Sequence, residues 1–488
     1  MNIVEPILFQ ARYQPEAPAL CAPGIDTVSY ARLCTQMNNV ARRARAYGLE
    51  RGSVVALSID QPLLHSVIIL GLSQAGIVPV SVAMHRPPAG LRIDAVISNT
   101  GYPFAPQARR LPLDHSWIAG DGAAFETEPH GGSASDEVCL IVLTSGSTGD
   151  PKAVALTHRL VMARNARFDY LFGSRFPTLS RIYMHVGLAA SFGHFFLVHV
   201  LGRGGTVFLR GDGPDNTLRS FKIFQIQAIV ATPGTLAQLL ALCDQHPTIG
   251  VQVDTVLSGG GVVSRTLLER ARPRLCSHLV VHYGSTESGT AAMAPAHRIS
   301  SIEGAAGYVT PGARIEIVDE NNCPVAAGTE GIVRVASEFA VDHYVDDPIG
   351  SAQVFRDGWF YPGDVGSLTS DNLLILSGRR NNVLNAGGGK MTAEKIEAAL
   401  LSFKGVSEAA VLMMTNKLGV EEVWAAIVCR EQVDTERLRS HCLPRMPVVF
   451  VPAHIVTLDA LPINDLGKTD RPRLRQMLMT AATPASGS

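Results

Sequence analysis

Short, continuously apolar runs alternate with helical spacing over the first 260 residues. VVALSI (54–59) precedes PLLHSVIILGLSQAG, and IVPVSV follows it. CLIVLTS (139–145) runs into a stretch of small residues, after which HRLVMARNARFDYLF repeats its apolar positions at helical intervals. QAIVAT (227–232), GTLAQLLALCDQH, VDTVLS (253–258) and RTLLERARPRL continue the rhythm. Strands that are apolar throughout, each followed by a helix, predict largely parallel sheets covered on both faces. The most membrane-like stretch, 66–84, contains Gln74 and Pro79 and divides into a helix ending near Gly76 and a strand, so it reads as a buried helix–strand pair.

From about 305 to 377 the pattern changes to short strands with turn signals, which predicts an antiparallel meander or a small barrel. Past residue 380 come a helix near 393–402, the strands AAVLMM and VWAAIVC, and the helix TERLRSHCL. The last ten residues are small and polar and are expected to fray. The expected fold is α/β: a large N-terminal body of βαβ-type, mostly parallel sheets with a small barrel-like part, then a small, mobile α+β C-terminal domain.

Composition narrows the function classes. Of 488 residues 46% are hydrophobic and 17% charged, as in a well-cored globular chain. A net charge of −1 leaves no basic excess for nucleic acid or an anionic membrane. Eight scattered cysteines without a C-x-x-C pair read as reduced thiols in a cytoplasmic enzyme, neither a disulfide frame nor a zinc site. The N-terminus lacks a basic segment followed by a long apolar run, so no signal peptide is expected.

Five stretches carry chemistry. In TSGSTGDPK (144–152), small residues let backbone N–H groups approach an anion, hydroxyls add donors, and a lysine adds charge. This spacing differs from the Walker pattern, which disfavours a P-loop kinase, and a Gly/Ser surface turn is the bland alternative. In VVHYGSTESG (280–289) an apolar strand delivers Thr286 and Glu287 to its end, where ligands sit in open α/β sheets. Glu287 suits Mg²⁺ beside phosphate oxygens, although a glutamate after a strand is commonly a solvated turn residue. GWFYPGDVG (358–366) holds Asp364 on a rigid turn, suited to a bidentate contact with ribose hydroxyls. SGRRNNVLNAGGGKMTAEKIEAAL (377–400) and LPINDLGKTDR (461–471) read by themselves as an interdomain linker and a surface turn.

Together, in this order and spacing, the five resemble the adenylate-forming superfamily of acyl- and aryl-CoA synthetases, peptide-synthetase adenylation domains and luciferases. The resemblance covers about residues 5 to 475. It implies ATP-dependent activation of a carboxylic acid to an acyl-adenylate with release of pyrophosphate, then transfer to a thiol. Coenzyme A is the favoured acceptor, and the phosphopantetheine of a separate acyl carrier protein is the alternative. By resemblance Thr144, Ser145, Gly146, Ser147, Thr148, Gly149 and Lys152 clasp pyrophosphate, Thr286 the α-phosphate and Glu287 the Mg²⁺. Gly260, Gly261 and Val262 would face adenine with Tyr283 opposite, and Asp364 and Arg379 would bind ribose. Lys468 would bridge the carboxylate and the α-phosphate. A hinge at Asn382 would join an ATP- and acyl-binding domain (1–380) to a lysine-bearing one (383–488), whose rotation would bring Gly387 and Gly388 to the thiol arm.

This chain also departs from the family. Its hinge residue is Asn382, where Asp or Lys is usual; Ala393 stands for a common Pro and Lys395 for a common Glu. Ala189, in LAASFGHFF (188–196), occupies the position whose Asp clamps the ammonium in amino-acid-activating relatives, so ordinary α-amino acids are expected to be poor substrates. Gly193 replaces a bulky residue and predicts a deep or wide acyl pocket, which His282 and Gly284 would also line. His185, His194 and His199 lack metal-site spacing and read as satisfied, partly buried imidazoles. A catalytically inactive nucleotide-binding relative is the reading from another class, disfavoured by intact Lys152, Glu287, Asp364 and Lys468.

Overall fold

The computed structural model describes residues 1–482 except 83–86, 89, 121–133, 146–150, 173–179, 262, 387–388, 416–420 and 465–466. Two sheets form most of the body. One has six strands, in the order Arg109–Pro112, Ala95–Ser98, Val54–Ser58, Val78–Ser81, Val138–Ser145 and Pro151–Thr157. All its pairings are parallel except the last, which is antiparallel. The membrane-like stretch is here the buried helix Pro62–Gln74 followed by the buried strand Val78–Ser81.

The second sheet has fifteen strands. Its parallel half runs Pro18–Ala22, Thr206–Phe208, Arg181–His185, Ala228–Ala231, Val253–Gly259 and Cys276–Ser285. The antiparallel pair Cys276–Ser285 and Gly289–Pro295 then leads into the meander of Ala305–Val309, Leu373–Arg379, Asp364–Leu368 and Gly331–Ser337. The barrel-like part therefore continues the parallel sheet and curls round its own core of Ala292, Ile315, Ile317, Val333, Val335 and Leu374. The helix Pro233–Gln245 is fixed by a capping box between Thr232 and Thr235, whose hydroxyls satisfy two end N–H groups reciprocally.

Beyond residue 380, Val406–Thr415 pairs antiparallel with Glu421–Cys429, which pairs parallel with His454–Leu458. Alternate residues face opposite sides of this sheet. Val411, Val423, Ala425 and Ile427 pack with helices Ala393–Leu401 and Thr435–Cys442. Leu412, Met414, Trp424 and Ala426 pack with Leu474 and Leu478 of helix Arg471–Ala482. That last helix corrects the expected fraying for residues 479–482, because its two buried leucines anchor it. Among the described residues no helix is long and apolar enough to cross a membrane.

Candidate active site

The C-terminal ends of the parallel strands carry the chemistry, since each strand delivers its following residues to one edge of the sheet. The hairpin Val138–Ser145/Pro151–Thr157 places Thr144 opposite Lys152. The hairpin after Cys276–Ser285 turns through Thr286 and Glu287. Glu287 is 6% exposed, and its Oε1 accepts from the Thr144 hydroxyl (3.3 Å) and the Tyr344 hydroxyl (3.1 Å). Thr286 Oγ1 lies 2.9 Å from Ser191 Oγ.

Arg164, on helix His158–Phe172, braces this turn from behind. Its Nη2 donates to the carbonyls of Phe339 (2.8 Å) and Thr286 (3.0 Å), and its Nε to Phe339 again (3.1 Å). Enclosure by protein lowers its pKa to about 10, against the opposing pull of the Glu287 charge. Neither Arg164 nor Tyr344 belongs to the expected set. The signal for Arg164 is its place among Val161, Asn165 and Phe168 on the buried side of the helix, where a charge needs partners.

Lys152, expected at pyrophosphate, instead reaches Asp347 Oδ2 at 2.7 Å. Asp347 also caps helix Pro348–Val354 by accepting from the Gly350 amide at 2.8 Å. The Lys152 hydrogen bond, then the Gly350 amide, hold this carboxyl below the usual aspartate range.

The expected ribose and adenine residues come together. Asp364 lies directly opposite Arg379 across paired strands, its Oδ1 2.9 Å from Arg379 Nε. Its Oδ2 accepts from the Tyr283 hydroxyl at 2.7 Å. Burial first, and then the Asp364 charge, push the Tyr283 phenol well above its ordinary pKa, so it stays a donor. Gly259 pairs with His282, so Gly260, at φ +83°, follows beside Tyr283. Gly260 and Gly261 are exposed and present bare backbone after the strand.

Lys468 lies close enough to feel the charges of Arg379, Asp364 and Glu287. Its loop closes on itself, with Asn464 N donating to Lys468 O at 2.8 Å and Lys468 N to Asn464 Oδ1 at 3.0 Å. The loop also sits on the start of helix Pro233–Gln245, where the Thr232 hydroxyl donates to Gly467 O at 2.9 Å. The fit is close: a Cβ at Gly234 would lie 2.8 Å from that carbonyl. Lys468 remains open to solvent, yet its pKa is lowered, by surrounding protein first and by Arg379 next, while Asp364 and Glu287 oppose the shift. One ammonium, one guanidinium and two carboxylates thus share a single field.

The acyl side departs from expectation. Ala189 is half-buried in the turn before helix Ser191–Gly202 and offers no polar side-chain atom. Gly193 opens no pocket. A Cβ there would collide with Gly187 O and crowd Val186 O at 3.2 Å, so the chain's own backbone fills the space. Gly284 is similar, since a Cβ would collide with Gly289 O across the hairpin. His282 packs against Phe192 with ring centres 5.2 Å apart, and its Nε2 lies 2.8 Å from Thr290 Oγ1. Of the other histidines, His199 meets Asp169 at 3.6 Å. His185 and His194 each keep a buried Nε2 with no hydrogen-bond partner among the described residues, so these two are not the satisfied imidazoles expected. Gly146, Ser147, Thr148, Gly149, Val262, Gly387 and Gly388, and the side chain of Ser145, lie outside the described residues.

The model of the AMP-binding enzyme family matches residues 8–345, and that of the AMP-binding enzyme C-terminal domain matches residues 395–468. This chain belongs to the AMP-binding enzyme family. Curated AMP-binding relatives include the fatty acid–[acyl-carrier-protein] ligase ScoC of Streptomyces coeruleorubidus, 26% identical over 97% of this chain and 96% of its own length. A 4-chlorobenzoate–CoA ligase of an Arthrobacter species is 25% identical over 97% of this chain and 95% of its own. Among solved structures, the O-succinylbenzoate coenzyme A synthetase MenE of Bacillus subtilis, in complex with AMP, superposes with a TM-score of 0.79 at 21% identity, covering 96% of this chain and 98% of that one. ATP-bound MatB from Rhodopseudomonas palustris gives 0.78 at 21%, covering 99% and 100%. The two structural likenesses establish that the AMP-binding enzyme described here has the fold of those two proteins.

Proposed function

We propose that this enzyme is an acid–thiol ligase that activates an aryl or fatty carboxylic acid with ATP and passes the acyl group to coenzyme A. The observation that carries the reading is the pair of buried carboxylates, Asp364 held by Arg379 and Tyr283 and Glu287 held by Thr144 and Tyr344, with Lys468 close enough to feel both charges. In the first step a carboxylate oxygen of the acid attacks the α-phosphorus of ATP, and the bond to pyrophosphate breaks. Negative charges meet as that bond forms, and the Lys468 ammonium neutralises them; one such ammonium contributes several kcal/mol in a partly desolvated site. In the second step the thiol sulfur attacks the acyl carbon, the thiol proton is lost, and AMP leaves.

The other residues bind and orient. Asp364, held by Arg379 and Tyr283, accepts from the ribose hydroxyls, and adenine lies on Gly260 and Gly261 beside Tyr283. Thr286 donates to the α-phosphate. Lys152, once released from Asp347, and Thr144 serve the departing phosphates, with Ser145, Gly146, Ser147, Thr148 and Gly149 assigned there from the sequence. A buried carboxylate ringed by hydroxyls fits Mg²⁺, which takes one or two carboxylates and completes its shell with substrate oxygens. Glu287 would hold it, and bound Mg²⁺ supplies charge neutralisation on the phosphates. Residues 1–380 form the ATP- and acyl-binding domain and 383–488 the lysine-bearing one, joined at Asn382, with Gly387 and Gly388 assigned to the thiol arm from the sequence. Ala189 supports an acid without an α-ammonium, since a buried ammonium without a carboxylate is costly. Transfer to a carrier protein is the second reading, favoured by the likeness to ScoC.

ATP–pyrophosphate exchange over benzoates, cinnamates, C2–C16 fatty acids and amino acids tests the proposal, with coenzyme A then added. Exchange with one class of ammonium-free acids, followed by thioester formation, is expected. Exchange restricted to α-amino acids would overturn the assignment of Ala189 and of the substrate class.

A further inference from the structure

One segment, residues 341–351, ties Lys152 to Glu287. Its Val341 and Val345 amides donate to Glu287 O and Ala153 O, each at 2.8 Å. The Tyr344 hydroxyl donates to Glu287 Oε1 at 3.1 Å, and Asp347, three residues on, holds Lys152 Nζ at 2.7 Å. Across its own hairpin Lys152 pairs with Thr144, whose hydroxyl donates to the same Glu287 oxygen at 3.3 Å. Lys152, Asp347, Tyr344, Glu287 and Thr144 thus close a ring. Burial first, then the Glu287 charge and after it that of Asp347, push the Tyr344 phenol upward, so both carboxylates act on one hydroxyl.

The two ends of the Lys152–Asp347 pair differ in freedom. Asp347 is fixed: its Oδ1 accepts from the Gly350 amide at 2.8 Å and its carbonyl from the Ser351 hydroxyl at 2.6 Å. That hydroxyl oxygen in turn accepts from the Tyr344 amide at 2.9 Å. Lys152 is a point charge on a flexible four-carbon stem and can turn to another anion. The paired side chains are 21% and 28% exposed, so water partly screens the contact and a more highly charged anion can displace it.

We propose that Asp347 is a positioning residue that sets how tightly the phosphates are held: it keeps Lys152 at the site before ATP arrives, yields it to the phosphates, and takes it back as pyrophosphate leaves. The inference rests on the ligase reading and on Lys152 serving the phosphates. Any phosphate must compete with the Asp347 carboxylate for the ammonium, so its affinity falls with the fraction of Lys152 that is free. ATP and pyrophosphate draw on the same lysine, and the competition weakens both together. A loosely held pyrophosphate departs more readily, which favours the forward reaction.

The test is calorimetric titration of the full chain with pyrophosphate and Mg²⁺, for wild type, Asp347→Asn, Lys152→Met and the double variant. Asn keeps the oxygen that caps helix Pro348–Val354 and removes only the charge. Asp347→Asn should bind pyrophosphate about fivefold more tightly and lower the KM for ATP by a similar factor. Asp347→Ser, another uncharged cap, should do the same. Lys152→Met should weaken binding, and Asp347→Asn should then add nothing to it, because the competition acts through the lysine. Unchanged or weaker pyrophosphate binding in both Asp347 variants overturns the proposal. So does equal tightening with and without Lys152, which would be plain repulsion by the carboxylate, and so does wild-type binding by Lys152→Met. Should wild type support exchange with none of the acids, the ligase reading fails, and the four titrations alone decide the role of Asp347.

Discussion

Replacing Arg164 with methionine removes the guanidinium that joins the Phe339 segment to the turn carrying Thr286 and Glu287. Four contacts of 2.8 to 3.4 Å disappear, two of them to Phe339 O, one to Thr286 O and one to Glu287 O. Hydrogen bonds to charged groups contribute about 1.5–3 kcal/mol each, but burying the charge is itself costly, so the net loss of stability is about 2–4 kcal/mol. The catalytic effect exceeds what that figure suggests. Glu287 is located by its own backbone and by Thr144 and Tyr344, and a shift of about 1 Å in a positioned group costs about a hundredfold in rate. Arg164→Met should therefore lower pyrophosphate exchange about a hundredfold and raise the Mg²⁺ concentration for half-maximal rate, while nucleotide binding through Asp364 persists. Arg164→Lys should fall between, because one ammonium lacks the fork that reaches both carbonyls. A folded Arg164→Met variant exchanging within twofold of wild type, at unchanged Mg²⁺ dependence, would refute the reasoning.

Tyr344→Phe removes one donor from Glu287 and should raise the Mg²⁺ requirement about five- to tenfold with little change in melting temperature; equal Mg²⁺ titrations would contradict it. Gly193→Ala should lower stability by about 1–3 kcal/mol through the clash with Gly187 O, seen as a lower melting temperature with the same preference among acids. Burial pushes His65, His185, His194, His199 and His282 down to about 4. With an unfolded value near 6.5, the unfolded state binds more protons between about pH 4 and 6.5, so stability is full above that window and falls as pH drops through it, by up to about 1.4 kcal/mol per pH unit per histidine. Melting temperatures at pH 7.5 and 5.5 check this, and His194→Met should flatten the decline.

The strands were readable because residues buried on both faces are apolar without interruption. Two helices follow their periodic runs residue for residue, His158–Phe172 and Arg265–Leu275. The helix Tyr30–Ala46 was hidden, because its buried side includes Gln36, Asn38 and Asn39 and breaks the apolar stripe. The continuity of the meander with the parallel sheet depends on pairing between distant segments, which no local pattern encodes. At the site, motifs singled out groups whose proposed roles rest on their own chemistry, such as Glu287, Asp364 and Lys468. Arg164, Tyr344 and Asp347 act through carbonyls or side chains more than fifty residues away in sequence, so spacing could not reveal them. Gly193 shows the converse: an absent side chain suggested space that backbone occupies.

The most direct measurement of the central claim compares wild type with Lys468→Ala in ATP–pyrophosphate exchange with the acid found active, while ATP affinity is followed in the same samples. The account predicts that exchange falls at least about a thousandfold and that ATP affinity changes little, because the ammonium acts on charge formed as the acid attacks. Exchange close to wild type in the variant would contradict it, since Lys468 would then lie near the nucleotide groups without serving the reaction.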